Sequence, residues 1–430
     1  MPKLLNPLLS AAFALALLGA AAPMGQPLSL DGALAIAMKQ NLQYQQAGVA
    51  VDAARARLQQ ARAPELPALS VQDTYQYVNP IAKLSTPFGS IPFSTVNATN
   101  VPLAQLQYTL FDGGVTAARV GQAEAGIAAT QGALREARGA VIAAVSKAYF
   151  DLVAARDMSE VADRAVAVAS GHEREARQLL ASGMIPRADL LRAQSELANE
   201  RVNAIGAHNA VALAQAGLDS VLDVPLDTAY QPTDTLDVPA PTVRLGALLA
   251  SAHETRGDLL AARASVTAAD RAVQAAKGGY APQVHAMLAD GNTQPAVIGG
   301  YHNQFSVGLN AVWSLFDNGY TAGRVAEARA GVAQAELGLQ ELENGVDLQV
   351  RQAYLNVNQA TAQVDAAKSL VQLADETLRL SQVRYRGGVG TALELQDAEL
   401  RDRSANETLL SAQVALRESL VQLRFAAGLL

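Results

Sequence analysis

From Ala104 to Leu110, apolar and polar side chains alternate: Ala104, Leu106, Tyr108 and Leu110 against Gln105, Gln107 and Thr109. The alternation recurs in Phe305, Val307, Leu309, Ala311, Trp313 and Leu315 against Ser306, Gly308, Asn310 and Ser314, and upstream in Val71, Tyr75 and Tyr77 against Ser70, Gln72, Thr74 and Gln76. A period of two predicts strands with one greasy and one polar face. A weaker alternation near Val284–Ala289 predicts a fourth strand. Beyond the strands the period lengthens. Val325, Ala328, Val332, Ala335, Leu339, Leu342 and Val346 step by three and four, and Val120, Ala123, Ile127, Thr130, Leu134, Ala137 and Val141 keep the same rhythm. This spacing predicts coiled-coil helices of about 65 residues, on the order of 100 Å long. Gly183 and Gly387-Gly388 end them, and new helices begin at Asp189 and Leu393, giving two helical hairpins with tight tips. Shorter helices over 47–63 and 262–277 stop before Pro67 and Pro282.

The doubled pattern has a register. Leu110-Phe111-Asp112-Gly113-Gly114 returns as Leu315-Phe316-Asp317-Asn318-Gly319, and 315 − 110 = 205. The same offset pairs Tyr149 with Tyr354, Gly183 with Gly388, Asp189 with Glu394, Leu190 with Leu395 and Ala193 with Ala398. Upstream, Pro67 and Pro282, Leu34 and Leu249, and Ala47 and Ala262 are 215 apart. Internal duplication is the reading, with an insertion in the first copy between Asn79 and Asn100 whose Pro, Ser, Thr and Asn content predicts a surface loop. A proline-rich linker, Val224–Pro241, separates the copies. The expected segments are a leader at 1–22, a first copy at 23–230 and a second at 231–430. The strand pairs fall at about 68–111 and 283–316, and the long hairpins at about 114–222 and 319–428.

Composition narrows the class. The apolar run Leu8–Leu18 behind Lys3, closing on Gly19 and three alanines, predicts a secretory signal peptide rather than an anchor, being shorter than a spanning helix. No later apolar run has spanning length, so any membrane-embedded part of the mature chain is built of strands. Cysteine is absent, excluding disulfides, thiolate metal sites and a cysteine nucleophile. A net charge of −7 argues against a nucleic-acid partner. Five scattered histidines, with neither His-Glu-x-x-His nor Gly-x-Ser-x-Gly, supply no metal site and no enzyme chemistry. Gly387-Gly388-Val389-Gly390-Thr391 lacks the lysine and the preceding parallel strand of a phosphate cradle and reads as a turn.

Four strands with one apolar face cannot cross a bilayer alone, because both edges would leave backbone groups unpaired in hydrocarbon. Two chains would close eight strands and three would close twelve; the pattern alone does not choose. The alternative for such a face is a half-buried soluble sheet, but nothing else in the chain supplies a second sheet to cover it.

At this point the chain resembles the TolC-like outer-membrane efflux proteins. The resemblance rests on the doubled Leu-Phe-Asp-Gly/Asn-Gly turn, on Ala63–Pro67 and Gly279–Pro282 ahead of strands, and on the tips Gly183–Gln194 and Tyr385–Glu399. It implies a mainly α chain with a transmembrane β part: a homotrimeric twelve-stranded β-barrel, four strands per chain, continued by a long α-helical coiled-coil periplasmic tunnel. It also implies an inner-membrane transporter and a periplasmic adaptor (membrane fusion) protein as partners, outer membrane lipid around the barrel, and neither cofactor nor catalysis.

Residue by residue, the resemblance places Glu394 and Asp397 at a periplasmic gate, where three copies would ring six carboxylates around one axis; acids favouring the helix N-terminus are the plainer account. It pairs Tyr385 with Asp189 in a hydrogen bond at the closed tunnel end, although Asp189 also suits a helix start. Gly390 and Ala188 stand where the family pattern has an arginine and a hydroxyl. Ser182, Gly183, Met184, Gly387, Gly388 and Val389 fall where the family meets its adaptor, and Tyr75, Tyr77, Tyr108, Phe305 and Trp313 would face lipid or its interface. The rival from another class is a wholly periplasmic coiled-coil adaptor or structural protein. An adaptor carries one helical hairpin between lipoyl-like and barrel strands, where two hairpins follow strand pairs here.

Overall fold

The computed structural model describes residues 26–77, 79, 83–92, 98–226, 228–239, 243–293, 302–387 and 389–430; the expected leader at 1–22 and Gly388 lie outside them. The chain is mostly helical. Its first half runs β1 (Gln26–Leu28), α1 (Leu30–Gln40), α2 (Leu42–Arg62), β2 (Ala68–Tyr77), β3 (Lys83–Thr86), β4 (Gly89–Pro92), β5 (Ala98–Phe111), α3 (Val115–Ala181) and α4 (Arg187–Leu222). Its second half runs β6 (Tyr230–Pro232), α5 (Leu245–Thr255), α6 (Gly257–Lys277), β7 (Gln283–Thr293), β8 (His302–Val312), α7 (Tyr320–Arg386) and α8 (Ala392–Ala426). Short 3-10 turns at Ala63–Glu65 and Gly278–Tyr280 lead into β2 and β7.

Two compact units divide these elements, one of residues 46–137 and 249–349, the other of residues 1–45, 138–248 and 350–430. Each draws on both halves of the sequence.

The first unit holds a four-stranded antiparallel sheet in the order β2-β5-β7-β8. Its register proves the alternation. Leu69 faces Leu106, which faces Leu288, which faces Val307; Val71 faces Ala104, and Tyr108 faces Ala286, which faces Leu309. All of these side chains therefore share one face. That face is bare: Val71 is 77% and Leu309 74% exposed. The other face is polar, with Thr109 bonded to His285 at 3.2 Å and Gln105 to Met287 at 3.1 Å. Among the described residues β2 and β8 each pair on one side only.

Strand passes to helix through one turn used twice. Asp112 accepts the N–H groups of Gly114 (3.0 Å) and Thr116 (2.6 Å); Asp317 accepts those of Gly319 (3.1 Å) and Thr321 (2.8 Å). The residue after each aspartate has positive φ, +68° at Gly113 and +53° at Asn318. Glycine takes that region freely, and asparagine is among the few side chains that tolerate it, which accounts for Gly in one copy and Asn in the other.

In the long helices the predicted stripes are the covered ones. Val325 and Val346 are buried and the five stripe residues between them half-buried, while most neighbours are exposed. In the equivalent stripe of α3, Val141 is buried and the rest half-buried.

The second unit has its core around Tyr149, Leu152, Leu218 and Leu222, against Ala33 and Ala37 of α1. Here the linker between the copies packs onto this unit. β6 pairs in parallel with β1. The Tyr149 hydroxyl accepts from the N–H of Thr233 and Asp234 and lies 2.7 Å from the Asp234 carboxylate. Arg417 donates to the carbonyls of Thr235, Leu236 and Asp237 while stacking on Phe150 at 5.0 Å. Pro225, Pro232 and Pro239 restrict its backbone, and these bonds make the described part of it a strap; Pro241 lies outside the described residues. The inserted surface loop also has structure of its own, the β3–β4 hairpin, with Phe88 fully exposed at its turn. β7, the weakest expectation, is 11 residues long.

Candidate gate and hairpin tips

The first tip is a glycine-terminated helix end. Gly183, at φ +75°, donates to Leu180 O, and Met184 donates to Leu179 O, both at 2.9 Å; these two bonds satisfy the last carbonyls of α3. A Cβ at Gly183 would meet open space, so conformation, not crowding, demands glycine there. Ser182 turns its hydroxyl onto Leu179 O, leaving Met184 as the apolar side chain presented at the tip, 68% exposed.

At the second tip, Val389 and Gly390 both donate to Arg384 O at 3.0 Å, and Gly387 to Val383 O. Gly390 is packed tightly: a Cβ there would stand 3.1 Å from the Arg384 backbone. Val389 is exposed in the place Met184 takes in the first tip.

The two helices that leave the tips start differently. α4 begins after Pro186 with no side-chain cap. α8 begins with a complete capping box, Thr391 Oγ1 accepting from Glu394 N and the Glu394 carboxylate accepting from Thr391 N. Glu394 thus has a local structural task and a 3.7 Å ion pair with Arg384. Asp397 is paired with Arg401 at 2.9 Å. Both acids remain about half exposed, so each gate candidate carries its own arginine without being sequestered.

Asp189 and Tyr385 line one cavity of about 660 Å³ between α3, α4, α7 and α8, but among the described residues no hydrogen bond joins them. Asp189 instead takes Arg192 at 3.3 Å. Burial, then the charges of Glu175 and Asp189, push the Tyr385 hydroxyl above its usual range and keep it a neutral donor.

The sequence pattern did not mark the cavity's other acids. Glu399 sits 3.3 Å from His172, and burial raises its pKa, with Glu196 adding to the rise and His172 opposing it. Asp402 is likewise raised, by burial and then by the Asp375 carboxyl beside it. Glu200, nearly buried, keeps its charge: burial would raise its pKa, but Arg403 and Asn203 bond it and lower it overall. Acids on a helix become legible as a cluster only when four helices converge on them.

One constellation invites an enzyme reading. Ser159 Oγ lies 3.1 Å from His208 Nδ1, and His208 Nε2 lies 3.1 Å from Asp163. All three residues are in mid-helix, where the backbone N–H groups are committed to the helix ladder and are not free to serve as an oxyanion hole. Among the described residues no group of three or more His, Cys, Asp or Glu could hold a metal ion, and no helix is long and apolar enough to cross a membrane.

Against this geometry the comparisons fall into place. No curated protein matches the chain in sequence. Solved structures match its fold over 93% of its length. VceC, an outer membrane protein of Vibrio cholerae, gives a TM-score of 0.77 at 20% identity over 96% of its own chain. The CmeC outer membrane channel of Campylobacter jejuni gives 0.76 at 18% over 85%, and the open state of the MtrE outer membrane channel of Neisseria gonorrhoeae gives 0.73 at 21% over 89%. The family model for outer membrane efflux proteins matches residues 33–223 and again 248–429, one match in each half. The chain therefore belongs to the outer membrane efflux protein family.

Proposed function

We propose that three copies of this chain, each a duplicated unit of 23–230 and 231–430 behind a cleaved leader, close a twelve-stranded barrel that continues as a periplasmic helical tunnel. Through it pass substrates delivered by an inner-membrane transporter and a periplasmic adaptor, as in a tripartite efflux pump or a type I secretion system. The observation that carries this reading is the β2-β5-β7-β8 sheet, with one apolar face exposed and each edge strand paired to a neighbouring strand on one side only among the described residues. In hydrocarbon such edges must be paired, and of the small closed barrels twelve strands leave room for a conduit where eight do not.

The aromatic residues suit the same reading. Along the register Tyr77 and Tyr75 lie toward one end of the strands, Phe305 is level with Val71, midway to Tyr108, and Trp313 follows the end of β8; on this reading all five face lipid or its interface. Three copies of Glu394 and Asp397 form the gate ring, its charge moderated by Arg384 and Arg401, with the Tyr385–Asp189 latch bond forming in the closed trimer. The exposed tips, with Met184 and Val389 as apolar knobs, are the adaptor contacts. Family membership argues against the separate adaptor reading.

The test is the mass of the detergent-extracted protein by light scattering, together with conductance in planar bilayers. The expected result is a trimer that forms discrete cation-preferring channels, the preference weakening in Glu394→Gln/Asp397→Asn. A monodisperse monomer without conductance overturns the reading.

A further inference from the structure

The cavity of about 660 Å³ lies wholly within the second unit, and the charges around it do not balance. α3 brings Arg164, His172 and Glu175 to it, and α4 brings Asp189, Arg192, Glu196 and Glu200. α7 adds Asp375 and the Tyr385 hydroxyl; α8 adds Glu399, Asp402 and Arg403. Arg192 takes Asp189, Arg403 takes Glu200, and Arg164 is turned onto the Glu160 carbonyl. Among the described residues this leaves Glu175, Glu196, Asp375, Glu399 and Asp402 with no arginine partner, and the imidazole of His172 beside them.

Two of these carboxyls belong to α8. Each has one oxygen enclosed without a hydrogen bond among the described residues, Glu399 Oε1 with His172 Nε2 3.3 Å away, and Asp402 Oδ1 on a carboxyl that sits beside Asp375. An enclosed carboxylate oxygen without a donor is costly, and a proton removes the cost: the acid is neutral, and its hydroxyl donates to a neighbouring carboxylate. For Asp402 that neighbour is Asp375 of α7. For Glu399 it is Glu196 of α4, which already accepts from Gln396 of α8 at 3.0 Å.

We propose that this cavity is a proton-operated clasp between the two hairpins. With protons on Glu399 and Asp402, α8 is held to α4 and α7; when both carboxyls ionise, α8 moves off these neighbours and the hairpins part. Burial lifts both groups, with Glu196 adding to the rise at Glu399 and Asp375 to that at Asp402, while His172 opposes it. The hold is therefore complete below the ordinary values of 4.5 and 3.8 and is lost as pH rises through the raised ones. Glu200, its pKa lowered overall by Arg403 and Asn203 against the pull of burial, stays ionic on both sides of the change, so the Glu200–Arg403 pair is the pivot. The gate candidates Glu394 and Asp397 do not line the cavity, and each carries its own arginine. Any effect on conduction rests on the three-copy reading above; the clasp itself lies within one chain.

Cysteine is absent from the sequence, so spin labels can be placed one by one. Asn199→Cys on α4 and Ser404→Cys on α8, both exposed and outside the cavity, are labelled in the full chain, co-expressed with an excess of unlabelled chain and extracted in detergent. Their separation is read by pulsed spin resonance from about pH 4 to about pH 8. The main distance peak should move to longer values as pH rises. Glu399→Gln with Asp402→Asn should stay at the low-pH distance throughout, while Glu394→Gln with Asp397→Asn should keep the move. Asp402→Asn alone, which should shrink the move, stands in if the double variant does not fold. A parent peak that ignores pH, an equal move in the Glu399 and Asp402 variants, or loss of the move in the Glu394 and Asp397 variant overturns the clasp, whatever oligomer light scattering reports. A monomer that still shows the move overturns the three-copy reading and leaves the clasp standing.

Discussion

α3 and α7 are each 67 residues long, begin at the same aspartate-capped turn and carry the same three-four stripe. They differ on the next face. On α3 every seventh residue from Ala118 through Ala125, Gly132 and Gly139 is small and buried, with Gly132 against the Gly257 backbone and Gly139 against the Phe425 ring. On α7 the same positions are Gly323, Ala330, Leu337 and Asn344, and all are exposed. Shared periodicity sets which stripe a helix hides first; side-chain size on the second face sets how closely another helix can approach.

The strongest way to break this comparison is to exchange the two faces. Gly132→Leu drives a side chain into the Gly257 backbone and should cost roughly 3 kcal/mol or more, whereas Leu337→Gly costs the isolated chain only the helix penalty of glycine, about 1 kcal/mol. Urea midpoints of the two variants in detergent read the difference directly. Equal losses would mean that the α3 face is not the tighter one.

A capping contrast is next in size. Thr391→Ala removes the box at the start of α8 and should cost about 1 kcal/mol, while Pro186, which caps nothing, should yield far less when changed to Ala. Hydrogen exchange over the first turns of α8 and α4 would show it.

The smallest effect is titration. Glu399 and Asp402 on α8 correspond to Gln194 and Leu197 on α4, so the protonable pair belongs to one hairpin only. Both carboxyls are raised above their ordinary values of 4.5 and 3.8, so the folded chain binds more protons there than the unfolded one. Their contribution is fully present below the ordinary values and is lost as pH rises through the raised ones. The pair's share of the thermal midpoint should fall with rising pH across that window, so Glu399→Gln with Asp402→Asn should shift the pH slope of the midpoint upward relative to the parent. An unchanged slope in the double variant would remove these residues from the account.

Much of this was legible beforehand where one dimension suffices. The sheet's two faces follow from alternation in β2, β5 and β8, and the hairpin tips from Gly183 and Gly387. What escaped depends on partners far away in sequence. The β1–β6 pair is three residues a side and has no pattern to read; the strap is held by Tyr149 and Arg417, whose targets are backbone atoms. The β3–β4 hairpin lies in a segment whose polar composition is that of any loop. At the tips, Thr391 and Glu394 form a capping spacing visible in sequence, which the attention to glycine and acid positions passed over. Tyr385 and Asp189 share a cavity wall, with no hydrogen bond between them among the described residues; the expected bond belongs to a closed tunnel end.

The unpaired edges of β2 and β8 have a consequence for how the molecule comes into being. In a ring of three, a first encounter joins one pair of edges and leaves two open; the third arrival closes two at once. The dimer therefore still has as many open edges as a single monomer, while the proposed closed trimer would have none. Such a step is cooperative by counting alone, so the proposed barrel should form in an all-or-none manner whose yield depends steeply on local chain concentration.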